Sequence, residues 1–212
     1  MKDKNKEAAR QEALQEALAQ EIETDFYAAV NWAKNLLYTG NFVILDTETT
    51  GLGSSDQICQ IALLDSLGRE LLNSLVRPTL DISQEAIAIH GITNQLVENA
   101  PTFEELFLPI LKAVEDKDLV IYNAEFDLRL IRQSLKPYGV RLAFPSSVRR
   151  GGRIFLNGGL VHCAMEYFSQ WVGEWNHKYD NYRWQSLPGG DHSAIGDCKA
   201  TLEVIKQIAG NL

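Results

Sequence analysis

The chain has 212 residues, 45% hydrophobic and 23% charged, which suits one globular domain with a sizeable core. Charges break its apolar runs well short of the roughly 20 residues a membrane span needs, and the opening Met-Lys-Asp-Lys-Asn-Lys has no apolar signal core. These features exclude a membrane-spanning helix and predict a cytoplasmic protein, and a net charge of −8 argues against a protein that merely coats nucleic acid.

Residues 1–39 read as a helical arm rich in Ala, Glu, Gln and Leu. Leu14, Leu18, Ile22 and Phe26 form its apolar stripe. Such an arm caps the core or pairs with another subunit. Gly40 breaks the pattern, and 40–212 reads as one globular domain. Phe42-Val43-Ile44-Leu45 is a continuous apolar run, as in a strand buried on both faces. Residues 58–65 and 70–76 read as two more strands, joined by the turn at 66–69. Short helical turns follow at 83–89 and 93–98. Thr102 opens a longer helix, with Glu105 completing a capping box.

Residues 119–122 are a further strand. An amphipathic helix covers 125–135 and is closed by Pro137 and Gly139. Residues 139–158 read as loop, 160–172 as helix, 173–190 as polar and aromatic without period, and 193–209 as the last helix. Strands first, then alternating strand and helix, predict a three-layer α/β domain with a mixed sheet. The three cysteines, Cys59, Cys163 and Cys198, show no paired spacing and read as buried thiols.

The charge is unevenly spread. Arg129, Arg132, Lys136, Arg141, Arg149, Arg150 and Arg153 fall between residues 128 and 165 without an Asp or Glu, so that stretch carries +7 and the rest −15. It is either a phosphate-binding rim beside a cation-binding acidic body or a solvated basic face.

Three segments carry candidate chemistry. Asp46 and Glu48 close the first strand, and side chains two apart on a strand share a face. Such a pair is either a solvated turn or a set of hard oxygen ligands for Mg²⁺ or Mn²⁺. Asp127, in Asn123-Ala124-Glu125-Phe126-Asp127, either complements a helix dipole or adds a third carboxylate. His192 and Asp197 stand five residues apart, about 140° around an ideal helix. His192 must therefore sit at or before the helix start, as a structural residue or as a base near neutral pKa.

In this order the segments resemble the DEDDh (DnaQ-like) 3′→5′ exonucleases over residues 40–208. Residues 43–52, Val-Ile-Leu-Asp-Thr-Glu-Thr-Thr-Gly-Leu, look like that family's first motif. Ile89-His90-Gly91-Ile92-Thr93 resembles its terminal-nucleotide segment. The resemblance implies a ribonuclease H-like fold with a mixed, mainly five-stranded sheet flanked by helices. It implies that Asp46, Glu48, Asp127 and Asp197 bind two Mg²⁺ or Mn²⁺ ions and that His192 is the general base. It places Thr47 and Leu52 at the terminal nucleotide, His90 and Phe126 beside it, and Asn123 behind the site. The expected partner is nucleic acid with a free 3′ end, single-stranded and DNA rather than RNA, and the product a nucleoside 5′-monophosphate. Arg149 and Arg150 are the expected backbone contacts.

Tyr122 departs from the pattern, since many relatives carry His there. Residues 140–190 have no counterpart in the resemblance. They hold Trp171, Trp175 and Trp184, which either stack on bases or fill the core under a lid. A non-cleaving binding module, an RNA-trimming exoribonuclease and a phosphoesterase for small nucleotides are the rival readings. Homodimerisation, a polymerase complex and a CRISPR-adaptation complex stay open, as do repair and proofreading.

Overall fold

Gly40, at φ +61, ends a 38-residue helix and turns the chain into the strand around which the fold is built. The computed structural model describes residues 2–141 and 154–210. That helix is α1, Lys2–Thr39, and the strand is β1, Phe42–Thr49. Then come β2 (Ile58–Asp65), β3 (Glu70–Leu75), α2 (Gln84–His90), α3 (Asn94–Val97) and α4 (Phe103–Ala113). The second half holds β4 (Asp118–Ile121), α5 (Ala124–Leu135), β5 (Ile154–Leu156), β6 (Gly159–Cys163), α6 (Ala164–Val172), β7 (Trp175–Asn176), β8 (Asn181–Tyr182) and α7 (Ala194–Ala209).

The main sheet has the order β3-β2-β1-β4-β6-β5. Three consecutive strands pair antiparallel, β4 and β6 lie parallel to β1 and to each other, and short β5 returns antiparallel on the edge. The expected mixed, mainly five-stranded sheet thus gains a three-residue sixth strand. Helices flank it in two groups: α7 lies on β1 and β2 beside α1 and α6, while α4 and α5 pack together, α4 on β2 and α5 on β1, β2, β4 and β6. β1 is central, and Phe42, Val43, Ile44 and Leu45 are buried, as their unbroken apolar run requires. The turn before β3 is set by Asp65, whose carboxylate accepts from the backbone N–H of Leu67 and of Arg69. Thr102 and Glu105 form the expected capping box on α4.

Two expectations are corrected. Residues 160–172 are not one helix: residues up to Cys163 form β6, paired with β4, and the helix starts at Ala164. The deciding feature is Asn157-Gly158, both at positive φ (49° and 97°), which turns β5 into β6 as a two-residue hairpin. Gly159 then passes so close to the Lys117 carbonyl that a side chain would strike it. The apolar seat of α1 also differs. Leu14 is 62% exposed, and the buried face is Ala29, Trp32, Ala33 and Leu36, because α6 and α7 cover only the later turns.

Trp32 stacks on Tyr167 of α6, with ring centroids 4.0 Å apart and planes 8° from parallel. His162 of β6 lies beside both rings. Burial holds its imidazole below the ordinary histidine range, against the opposing pull of the Asp118 carboxylate 3.4 Å away. A base with a lowered folded pKa takes a proton more readily when unfolded. Its stabilising effect is therefore complete above the unfolded value of 6.5 and is lost as pH falls below it. The difference in Tm between wild type and His162→Gln should shrink from about pH 7.5 to about pH 5.5. Parallel Tm curves would show that His162 titrates alike in both states.

Candidate active site

β1 runs on to Thr49, past the end of its parallel neighbour β4, whose last residue, Ile121, pairs with Leu45. Asp46 and Glu48 sit in that extension, and the β1–β2 register shifts between Glu48 and Thr49. Such a bulge kinks the strand and re-aims its side chains. Asp197 arrives from the first turn of α7. Ligand atoms of Asp46, Glu48 and Asp197 all lie within 4.8 Å of one another. Among the described residues this is the one group of three or more His, Cys, Asp or Glu side chains so placed.

Asp127, in the first turn of α5, is buried beside this group but outside it. Its Oδ1 accepts from the Thr47 hydroxyl at 2.7 Å, which ties α5 to β1. Burial raises the Asp46 carboxyl well above its ordinary range, and the charges of Asp127, Asp197 and Glu48 raise it further. Burial, then Asp197, Asp127 and Asp191, push Glu48 up to about 8. Burial pushes Asp127 up to about 7 against the lowering effect of the Thr47 hydroxyl. Hard carboxylate oxygens that repel one another in a low-dielectric corner are a donor set that fits divalent cations.

His192 is exposed, immediately before Ser193, the N-cap of α7, and has a φ of +59°. It lies outside the helix, as the angular argument required, and is not one of the clustered ligands.

A cleft of about 460 Å³ opens beside Glu48. Thr47, Leu52, His90 and Phe126 line it, as do Ile89 and Ala86 of α2. Leu52 and Ile89 are 79% and 59% exposed, so the cleft offers apolar surface to solvent. His90 is fixed by two bonds: its Nδ1 accepts from the Ile92 N–H at 3.0 Å, which assigns the proton to Nε2, 3.1 Å from the Thr49 carbonyl. Asn123 does not line the cleft. It opens α5, and its carbonyl accepts from the N–H groups of Phe126 and Asp127. Arg149 and Arg150 lie outside the described residues. Trp171 packs on Phe168 and Trp175 on Tyr182, whereas Trp184 is 65% exposed.

Further residues shape the site, and the first of them, Asp56, was not singled out from the sequence. Asp56 knots the loop after β1, accepting from the Thr50 hydroxyl at 2.7 Å and the Gly53 N–H at 2.6 Å. A Cβ on Gly51 would come within 2.8 Å of that carboxylate, so the loop's glycine makes room for its own acid. Arg129 lies over the Phe126 ring at 5.0 Å and donates to the Gly53 carbonyl at 2.9 Å. Tyr122 donates its hydroxyl to the Gln185 carbonyl at 2.9 Å and so ties the chain approaching α7 to the end of β4. The loop glycines were the visible signal for the first of these.

An exonuclease family model, RNase_T, matches residues 43–205. The chain belongs to the DEDDh (DnaQ-like) exonucleases of the ribonuclease H-like superfamily. It is 38% identical to the exonuclease CP81 of Escherichia phage 186, over 79% of this chain and 87% of the phage protein. It is 32% identical to the DNA polymerase III subunit epsilon of Rickettsia typhi, over 44% of this chain and 43% of that subunit. Among solved structures it is similar to Exonuclease X in complex with 5′ overhanging duplex DNA, at 27% identity and a TM-score of 0.50, covering 80% of this chain and 93% of that one. The E. coli Exonuclease I complex with a dA16 oligonucleotide shares the fold, with a TM-score of 0.56 at 18% identity, over 78% of this chain and 40% of that one. The chain is thus a 3′→5′ exonuclease, and its carboxylate cluster suits the divalent-metal use of that family. No helix among the described residues is long and apolar enough to cross a membrane.

The raised carboxyls of this exonuclease give a pH signature with a definite sign. A carboxyl whose folded pKa is raised stabilises the metal-free protein fully below its unfolded value, and that effect is lost as pH rises through the folded value. For Glu48 the window runs from 4.5 to about 8. Divalent cations bind the deprotonated form and relieve the repulsion. The rise in Tm on adding Mn²⁺ or Mg²⁺ to chelator-treated protein should therefore widen across this window. A Tm indifferent to both ions at every pH would contradict the assigned cluster.

Proposed function

We propose that this exonuclease removes nucleotides from the 3′ end of DNA by two-metal-ion hydrolysis and releases nucleoside 5′-monophosphates. One observation carries the reading: Asp46, Glu48 and Asp197 bring ligand atoms within 4.8 Å of one another beside a cleft lined by Thr47, Leu52, His90 and Phe126. Asp127 completes the acidic set, with one oxygen already held by Thr47. We assign the catalytic domain to 40–212 and treat α1 as an arm upon it.

Two Mg²⁺ or Mn²⁺ ions, held by Asp46, Glu48, Asp127 and Asp197, would offset the four carboxylates and draw negative charge from the reacting phosphate. The remaining work falls to the chain. Leu52 and Phe126 offer apolar surface to the terminal sugar and base, and the backbone around Thr47 meets the nucleotide edge. His90, locked on Thr49 and Ile92, shapes the wall of the pocket. His192, on the exposed turn before α7, accepts the proton of the attacking water. The cleft seats the chain end beside the acids, so each cut removes the last nucleotide. DNA is favoured because the solved structure of Exonuclease X, similar at 27% identity, is a complex with 5′ overhanging duplex DNA. Of the proposed assemblies, a polymerase complex has a named relative, the Rickettsia subunit. Arg149 and Arg150 remain the proposed backbone contacts.

A 5′-labelled single-stranded DNA should give a ladder shortening from its 3′ end with Mn²⁺ or Mg²⁺ and nothing with chelator. The matched RNA should be cut more slowly. Asp46→Ala should lower kcat/KM on the order of 10³-fold or more, the loss expected when several kcal/mol of charge stabilisation goes. His192→Ala should lower kcat about 10²- to 10⁴-fold while Mn²⁺ still raises the Tm. Wild-type rates in the Asp46 variant would overturn the site.

A further inference from the structure

The turn that carries His192 is built by a residue outside the family's five motif positions. Asp191 is exposed, yet one oxygen of its carboxylate is bonded to the start of α7. Its Oδ1 accepts from the Ser193 N–H at 3.0 Å and from the Ser193 hydroxyl at 2.7 Å. The same hydroxyl accepts in turn from the Gly196 N–H at 3.1 Å, which caps the helix. The Asp191 N–H donates to Oδ1 of Asp197 at 2.9 Å. Both neighbours of His192 are therefore tied to the first turn of α7, and one of the ties ends on a clustered carboxylate. Between them His192 holds a φ of +59°, a conformation that residues other than glycine seldom adopt.

Gly196 completes the arrangement. A Cβ built on it would overlap Oδ1 of Asp191. The obstructing atom is the tip of a flexible, exposed side chain, so an alanine there would expel the Asp191 carboxylate rather than break the helix. Glycine in a helix is otherwise unfavourable, and here it leaves space for that acid.

We infer that Asp191 is a positioning residue for the reaction: seated in the space left by Gly196 and bonded to Ser193, it holds the His192 turn in register with Asp197. This rests on His192 being the base proposed above. Asp191 acts through geometry rather than as a ligand or a charge. Glu48 feels the Asp191 charge, which makes a purely electrostatic role the rival to be separated.

The test is a cycle of Asp191→Ala, Gly196→Ala, the double variant and Asp191→Asn, with kcat and KM on 5′-labelled DNA and Tm for each. Asp191→Ala should lower kcat about tenfold with KM little changed, the signature of a misplaced base rather than lost binding. Gly196→Ala should reproduce that loss with Asp191 still present. The double variant should be no slower than Asp191→Ala, because the added methyl then meets no carboxylate. Gly196→Ala should raise the Tm in the Asp191→Ala background, through helix propensity, and should not raise it in wild type. Asp191→Asn keeps an acceptor for Ser193 and should restore most of the rate. If Asp191→Asn is as slow as Asp191→Ala, the charge and not the geometry matters, and the inference falls. Additive losses, or a wild-type kcat in Asp191→Ala, would overturn it equally. Should wild type not cleave DNA at all, the proposed function fails, while the Tm cycle still decides whether Asp191 and Gly196 share one space.

Discussion

Carboxylates repel one another across the buried corner where β1 ends, and the surrounding structure holds them there against that repulsion. Two unit charges about 4 Å apart interact by roughly 4 kcal/mol at an effective dielectric of 20. Burial adds to the cost: burial and repulsion together hold the Asp46 and Glu48 carboxyls well above their ordinary ranges, and burial does the same for Asp127. The restraint comes from elements that cannot easily move. β1 is paired on both edges. α5 is bound to it through Thr47 and Asp127, and to β2 through the Ser134 hydroxyl, which accepts from the Ile58 N–H at 2.9 Å. α7 lies on β1 and β2 with the Cys198 thiol near the Ile44 and Ala62 carbonyls.

The cleft inherits its shape from the same corner. The loop after β1 leaves the acidic site directly and is knotted by Asp56, then braced by Arg129 on Gly53. That keeps an exposed leucine, Leu52, at the mouth of the cleft instead of letting it collapse onto the core. α2 supplies the opposite wall and is pinned by His90 to the last residue of β1. One strand end therefore sets both the acids and the wall of the cleft beside them.

Much of this was legible in the residues. The Phe42–Leu45 run marked the central strand, the Thr102–Glu105 pair marked the start of α4, and the angle between His192 and Asp197 placed the histidine ahead of the last helix. What escaped had local causes. Val161 and Cys163 continue apolar into a helix-like pattern, so β6 was hidden until its pairing with β4 was visible. The Asn157-Gly158 hairpin signal was present but lay inside a segment read as loop. The seat of α1 depends on where α6 and α7 lie, and helix-forming composition says nothing about that. Asp191 escaped because its meaning resides in a contact with the missing side chain of Gly196, which spacing along the chain does not reveal.

The direct test of the acidic corner is anomalous diffraction at the manganese edge from crystals soaked with Mn²⁺ and a nucleoside 5′-monophosphate. Two peaks among Asp46, Glu48, Asp127 and Asp197, with the nucleotide in the Leu52–Phe126 cleft, are the predicted result. Folded protein with no manganese between these carboxylates would contradict it.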